Sequence, residues 1–330
     1  MSNQTTKKNE ILFDILRKYN SSATDSTLNA YVSTLTKVYK DMGHASDKDY
    51  PVDIIKDPKK VMDVLRSKGY LDNTMKNKLS AIISYLLACG ESKKVISEYT
   101  DAVDSFAGKI GKEQSKMQWN EKDDKNKMNI DDLHKYVDTM YVNLPKNLKR
   151  FKDILMYQLY LCASFQLSFA PRNELCDAKL YTVAEFDKVK DSNDENYIIV
   201  NPKTKHIKVI YNVFKTKSST AGGQISFEVK DDEVMAETFL KYLKGVKEYY
   251  SDSDDAFDHW FLFNEDRKKL TRNDYTRLLQ KAFKGTGKTI SSSLIRKIVA
   301  SDLIDVDKLK KNAYIEGHSV KTMLNTYVKS

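Results

Sequence analysis

The strand-like stretches of this chain are confined to one part of it: Tyr197 to Val200, Lys208 to Phe214 and Gln224 to Val229. Each is short and rich in β-branched or aromatic residues. The last two flank Ala221-Gly222-Gly223, a loop sequence that suits a hairpin. On both sides the apolar residues recur with helical spacing. That confinement predicts a mainly α chain with a small antiparallel β-sheet.

The first third reads as helices alone. Ile11, Leu12, Ile15 and Leu16 share a helical face. Ser26 is a candidate N-cap for a helix carrying Leu28, Tyr31, Val32, Leu35, Val38 and Tyr39. Val61, Met62, Val64 and Leu65 suggest a short helix, and Asn73 is a candidate cap for one carrying Leu79, Ile82, Ile83, Leu86 and Leu87. These predict a helical bundle over residues 1–107. Residues 108–128 are lysine-rich and, Trp119 apart, lack an apolar period, which predicts a basic linker. Residues 129–330 form the predicted second domain. It has helices around Leu133 to Met140 and Leu148 to Phe169, then the strands, then helices at Glu233 to Tyr250, Asn273 to Phe283, Ser291 to Leu303, Asp307 to Ile315 and Val320 to Val328.

With 330 residues, 41% of them hydrophobic, the chain has enough for two packed cores. Its net charge of +9 suits a polyanionic partner. No apolar run approaches the ~20 residues of a membrane span, and the polar stretch Met1 to Glu10 is not a secretory leader. Cys89, Cys162 and Cys176 lie in or beside apolar runs, which predicts buried free thiols. Neither they nor the histidines have metal-ligand spacing, so no metal or cofactor is expected.

Gly285-Thr286-Gly287-Lys288-Thr289 looks like a phosphate-binding loop. However, Ala282 stands where that motif needs its first glycine, and a helix precedes it instead of a strand. Other residues are better candidates. Arg172, in Pro171-Arg172-Asn173-Glu174-Leu175, follows Leu167 and Phe169, a costly place for a charge unless something binds it. A local pair with Glu174 or Asp177 would also account for it. Lys215 and Lys217 stand where the second strand ends, either as solvated edge residues or as DNA contacts. Arg296 lies one helical turn beyond Ser293, among Leu294, Ile295, Ile298 and Val299. Gly317-His318 opens the last predicted helix, which ends at Tyr327; the glycine lets the backbone turn there.

Taken in order, Arg172, Lys215, Ser293-Leu294-Ile295-Arg296, Gly317-His318 and Tyr327 resemble the active-site series of the tyrosine recombinase (phage integrase) family. That series runs Arg, Lys, His-x-x-Arg, Gly-His, Tyr. The resemblance is nearest to integrase-like enzymes of eukaryotic DNA viruses and their mobile elements, and it covers the last two hundred or so residues. It implies an α+β catalytic domain preceded by a helical core-binding domain. It also implies DNA cleavage and rejoining through a 3′-phosphotyrosine, without metal or ATP. In that scheme Arg172, Arg296 and His318 stabilise the phosphate, Tyr327 attacks, and Lys215 protonates the leaving 5′-hydroxyl. Lys217 competes with Lys215, which is preferred because it directly follows the strand. The implied partners are double-stranded DNA and further copies of the chain, as a tetramer on two sites, with no membrane. The implied location is inside the cell, wherever the target DNA is, whether host nucleus or viral factory.

Two departures matter. Ser293 replaces the family's histidine; it can donate a hydrogen bond but is no base near neutral pH. Only Val328, Lys329 and Ser330 follow Tyr327, so assembly uses another surface or the chain is truncated. A type IB-like topoisomerase and a catalytically weak DNA-binding relative are the alternatives.

Overall fold

In the computed structural model the chain divides into two compact units, residues 1–116 and 117–330. The structure describes residues 2–44, 50–115, 118–189, 194–217, 220–251, 256–302, 306–317, 319 and 322.

The first unit contains α1 (Ser2–Tyr19), α2 (Asp25–Asp41), α3 (Pro58–Ser67), α4 (Asp72–Ala88) and α5 (Lys93–Ser115). Its core is the set the periodicity marks: Leu28, Val32, Leu35 and Val38 of α2 against Leu79, Ile82 and Leu86 of α4, closed by Tyr99 and Phe106 of α5. The caps differ from expectation. Thr24, not Ser26, caps α2, its side chain accepting from the Thr27 N–H. Helix α4 begins at Asp72 and has no side-chain cap, so Asn73 lies inside it. In both helices an aspartate stands in the first turn, where the helix dipole favours negative charge. Lys78 is buried in this unit and pairs with Asp41 at 3.2 Å.

Two further expectations are corrected. Cys89 is exposed, at the C-cap of α4, whereas Cys162 and Cys176 are buried. Much of the predicted linker is helical: α5 continues to Ser115, and α6 (Glu121–Asn126) follows. An exposed helix needs no apolar stripe, so the lack of one concealed it. Asn120 caps α6 by accepting from the Asp123 N–H, and the first turn carries Glu121, Asp123 and Asp124.

The second unit continues with α7 (Ile130–Val142) and α8 (Phe151–Phe169). Helix α8 is apolar nearly all round and forms the centre of the core, with Ile154, Tyr157, Leu161, Cys162 and Phe165 buried. Then come β1 (Ala178–Thr182), α9 (Val183–Phe186), β2 (Asn196–Val200), β3 (Ile207–Tyr211) and β4 (Ile225–Val229). Helices α10 (Glu233–Ser251), α11 (Arg272–Ala282), α12 (Ser292–Asp302) and α13 (Val306–Ile315) complete the described elements. The helix expected over 320–328 lies outside the described residues, apart from Thr322.

The sheet is mixed, not purely antiparallel. Its order is β1-β2-β3-β4, with β1 parallel to β2 and the other pairs antiparallel. The additional strand, β1, had no hairpin to announce it, because its partner lies across α9. This polarity positions the functional residues. Ala178, at the start of β1, pairs with Asn196, at the start of β2. The end of β3 and the start of β4 meet at the same end of the sheet, where Tyr211 pairs with Ile225. The segment entering β1 and the segment leaving β3 therefore lie at the same end of the sheet, on either side of β2.

Candidate active site

The chain leaves α8 through Ala170, which is fully buried and left-handed at φ 44°. Buried Gln166 donates to the Pro171 carbonyl at 2.7 Å and accepts from the Tyr275 hydroxyl of α11 at 2.8 Å. The backbone entering Arg172 is thus held from both sides. Arg172 is half-buried and precedes a short 3-10 turn, Asn173–Asp177.

Asn173 ties this turn to two helices. Its amide nitrogen donates to Thr276 Oγ1 at 3.1 Å on α11, and its oxygen accepts from Ser292 Oγ at 2.8 Å on α12. Arg296 is one helical turn beyond Ser292, on the same face. Helix α12 is anchored again at Lys297, which pairs with Asp123 of α6.

Arg172 and Arg296 act on the same two buried carboxyls. Glu174 is 5% exposed and Glu316 is 2% exposed. Burial pushes the Glu174 carboxyl above its usual range, against the pull of Arg172, Arg272 and Arg296. Burial pushes Glu316 up to about 8, while Arg296 and Arg172 pull it down and Glu174 pushes it up. Of the two acids offered by the sequence as local partners for Arg172, Asp177 instead pairs with Lys269 at 2.7 Å and Arg272 at 3.3 Å.

Buried Asn196 joins this cluster to the lysine turn. Its side-chain oxygen accepts from the N–H groups of Asn212 (2.9 Å) and Val213 (2.8 Å). Its nitrogen donates to the carbonyls of Val213 (3.0 Å) and Glu174 (3.4 Å). Lys215 and Lys217 are both exposed on the turn that follows. The Lys217 stem leans toward Gly223, its Cε 3.9 Å from where a Cβ there would stand.

The same turn touches the segment before His318. Thr216 Oγ1 donates to the Gly317 carbonyl at 2.9 Å. A Cβ at Gly317 would stand 2.6 Å from that hydroxyl oxygen, and its φ of +65° favours glycine independently. Ser319 Oγ accepts from the Thr322 N–H at 3.1 Å, the bond of an N-cap.

Of the six residues singled out, Arg172 and Arg296 both bear on the charge of Glu174 and Glu316. Lys215 sits on a turn bonded to Gly317, and Ser293 is exposed on α12. His318 and Tyr327 lie outside the described residues. Sequence reasoning missed Asn173, Asn196, Ser292 and Glu316. Glu316 carried a signal: it continues the helical face of Asn312, Ala313 and Ile315, all buried. The phosphate-loop lookalike is a connector. A Cβ at Gly285 would stand 2.5 Å from the Tyr136 hydroxyl, and Lys288 Nζ donates to the Lys125 carbonyl at 2.7 Å.

No protein-family model matches the chain, and no curated protein does. Solved structures similar to it include a crystal structure of XerA recombinase, 14% identical, covering 97% of this chain and 94% of that one, with a TM-score of 0.38. Another is the XerH site-specific recombinase bound to its difH substrate in a pre-cleavage complex, 13% identical, covering 96% and 91%, with a TM-score of 0.45.

Proposed function

We propose that this chain cleaves and rejoins double-stranded DNA as a site-specific tyrosine recombinase or integrase. The observation that carries this is the hydrogen-bonded frame that joins the segment after Arg172 to α12 one turn before Arg296, through Asn173 and Ser292, and to the turn before Lys215, through Asn196. Two guanidiniums form a planar, multidentate seat for a phosphodiester. The net charge of +9 draws in the polyanion.

The chemistry follows from that seat. Tyr327, its phenol proton released to water, attacks phosphorus as the phenolate, forming a tyrosine O–P bond while the bond from phosphorus to the 5′-oxygen breaks. Lys215 gives its proton to the departing 5′-oxygen. A phenol titrates near pH ~10, so the cationic seat must also favour the phenolate. Arg172 and Arg296 offset the charge that builds on the phosphoryl oxygens, and His318 donates a further hydrogen bond. The exposed Ser293 hydroxyl can donate there but cannot act as a base. The phosphotyrosine retains the bond energy, so a 5′-hydroxyl from the same or another duplex reverses the step without ATP. Strand exchange between duplexes calls for several copies, and we assign a tetramer on two sites.

Covalent trapping tests this. Wild type and Tyr327→Phe are incubated with nicked suicide duplexes drawn from candidate sites and resolved on denaturing gels. A protein–DNA band that disappears in Tyr327→Phe is expected. A band that survives means another nucleophile. Tight binding with no band from either protein means a non-catalytic DNA-binding protein. Relaxation of supercoils by the monomer without strand exchange means a topoisomerase.

A further inference from the structure

Glu316 plays no part in the chemistry above. It is 2% exposed, directly after α13, and neither carboxyl oxygen has a hydrogen-bond partner among the described residues. A structural carboxylate this deeply buried normally accepts several hydrogen bonds. This one faces charge instead. Arg296 from α12, and Arg172 with Glu174 from the segment after α8, act on it. The turn packed on neighbouring Gly317 carries exposed Lys215 and Lys217. Strand β4, packed against α13, carries Glu228, which pairs with Lys230. On its own helix Lys311 is exposed.

We infer that Glu316, a buried carboxyl without hydrogen bonds, sets the net charge of the arginine pair: as an anion it offsets the charge of Arg296 and Arg172, and as a neutral acid it leaves both charges to a DNA phosphate. This rests on the proposed function, since the rival for the guanidiniums is a phosphodiester. Burial without hydrogen bonds favours the neutral acid, and the two guanidiniums favour the anion. The balance leaves the carboxyl titrating at about 8. A phosphate arriving between the arginines withdraws their support and adds negative charge, so the acid takes up a proton as DNA binds. Below its titration Glu316 is already neutral and affinity is level. Above it, each binding event must take up one proton, and affinity falls by up to about tenfold per pH unit.

The test is fluorescence anisotropy with a short labelled duplex, using the full chain as wild type, Glu316→Gln and Glu174→Gln. Wild-type binding is expected to weaken about tenfold from about pH 7 to about pH 9. Glu316→Gln should match wild type at the lower pH and lose that fall, while Glu174→Gln keeps it. An equal fall in wild type and Glu316→Gln overturns the assignment. Should Glu316→Gln not fold, calorimetry of Glu174→Gln in buffers of different ionisation enthalpy decides: proton uptake on DNA binding near the titration supports it, and none overturns it. No duplex binding at any pH overturns the proposed function itself.

Discussion

Replacing Asn196 with alanine removes one buried side chain that serves three segments: the turn after Arg172, the start of β2 and the turn before Lys215. Asn196 is fully buried, and three of its four bonds are 3.0 Å or shorter. The fourth, to the Glu174 carbonyl, is 3.4 Å. Each good bond contributes about 1 kcal/mol net, and a buried backbone group left without a partner costs more, about 1–3 kcal/mol. Val213 is 41% exposed, so water can reach part of what is lost there. The sum is a loss of about 3–5 kcal/mol, a large share of the ~5–15 kcal/mol that holds a typical domain folded. Both tryptophans, Trp119 and Trp260, lie in the second unit, so their fluorescence during urea unfolding reports that unit's stability. Asn196→Asp keeps the acceptor but loses the donors and buries an anion beside the Glu174 carbonyl. It should be destabilising near neutral pH and recover as acid protonates it. A loss under about 1 kcal/mol for Asn196→Ala would refute the reasoning, because the clamp would then be replaceable by water.

Three further outcomes are expected. Gly317→Ala should cost about 1–3 kcal/mol from its left-handed backbone and its collision with Thr216, and it should abolish covalent trapping while circular dichroism remains helical. Asp41→Ala leaves Lys78, with its side chain 4% exposed, as a buried ammonium without its carboxylate, and should cost about 3–5 kcal/mol by urea unfolding; Asp41→Ala with Lys78→Met should recover much of that. Burial raises the Glu185 carboxyl, but hydrogen bonds from Lys247 and Thr182 outweigh it and hold it down at about 2, against an ordinary 4.5. Its stabilisation is therefore complete above pH 4.5 and lost as pH falls toward 2, and Glu185→Gln should flatten that part of an acid-unfolding curve.

What the sequence disclosed divides along physical lines. Apolar period revealed the helices that bury a face: α2 through Leu28, Val32 and Leu35, and α8 through its nearly continuous apolar run. It could not reveal α6, which buries nothing. It missed β1 as well, because a parallel partner brings no adjacent turn signal. At the site, Arg172 and Arg296 stood out as charges set among apolar neighbours. Asn173, Asn196 and Ser292 did not, because a small polar residue looks the same on a surface as in a buried clamp. Only the fold shows that Asn196 faces two turns at once.

The polarity of the sheet also divides the second unit's tolerance for change. Strands β1 and β2 end, and β3 begins, at the end remote from Arg172 and Lys215. There β2 and β3 are joined by a turn in which the Asn201 side chain accepts from the N–H groups of Lys203 and Thr204, and whose one ion pair to another element runs from Lys205 to Glu237 of α10 at 3.3 Å among the described residues. Lengthening, tagging or recoding that turn leaves the register beyond it untouched. The near end has no such latitude, because an inserted residue just before Val213 would shift Val213 off Asn196 and Thr216 off Gly317 together. Divergent descendants of this chain would be expected to vary in length at one rim of the sheet and to hold it at the other.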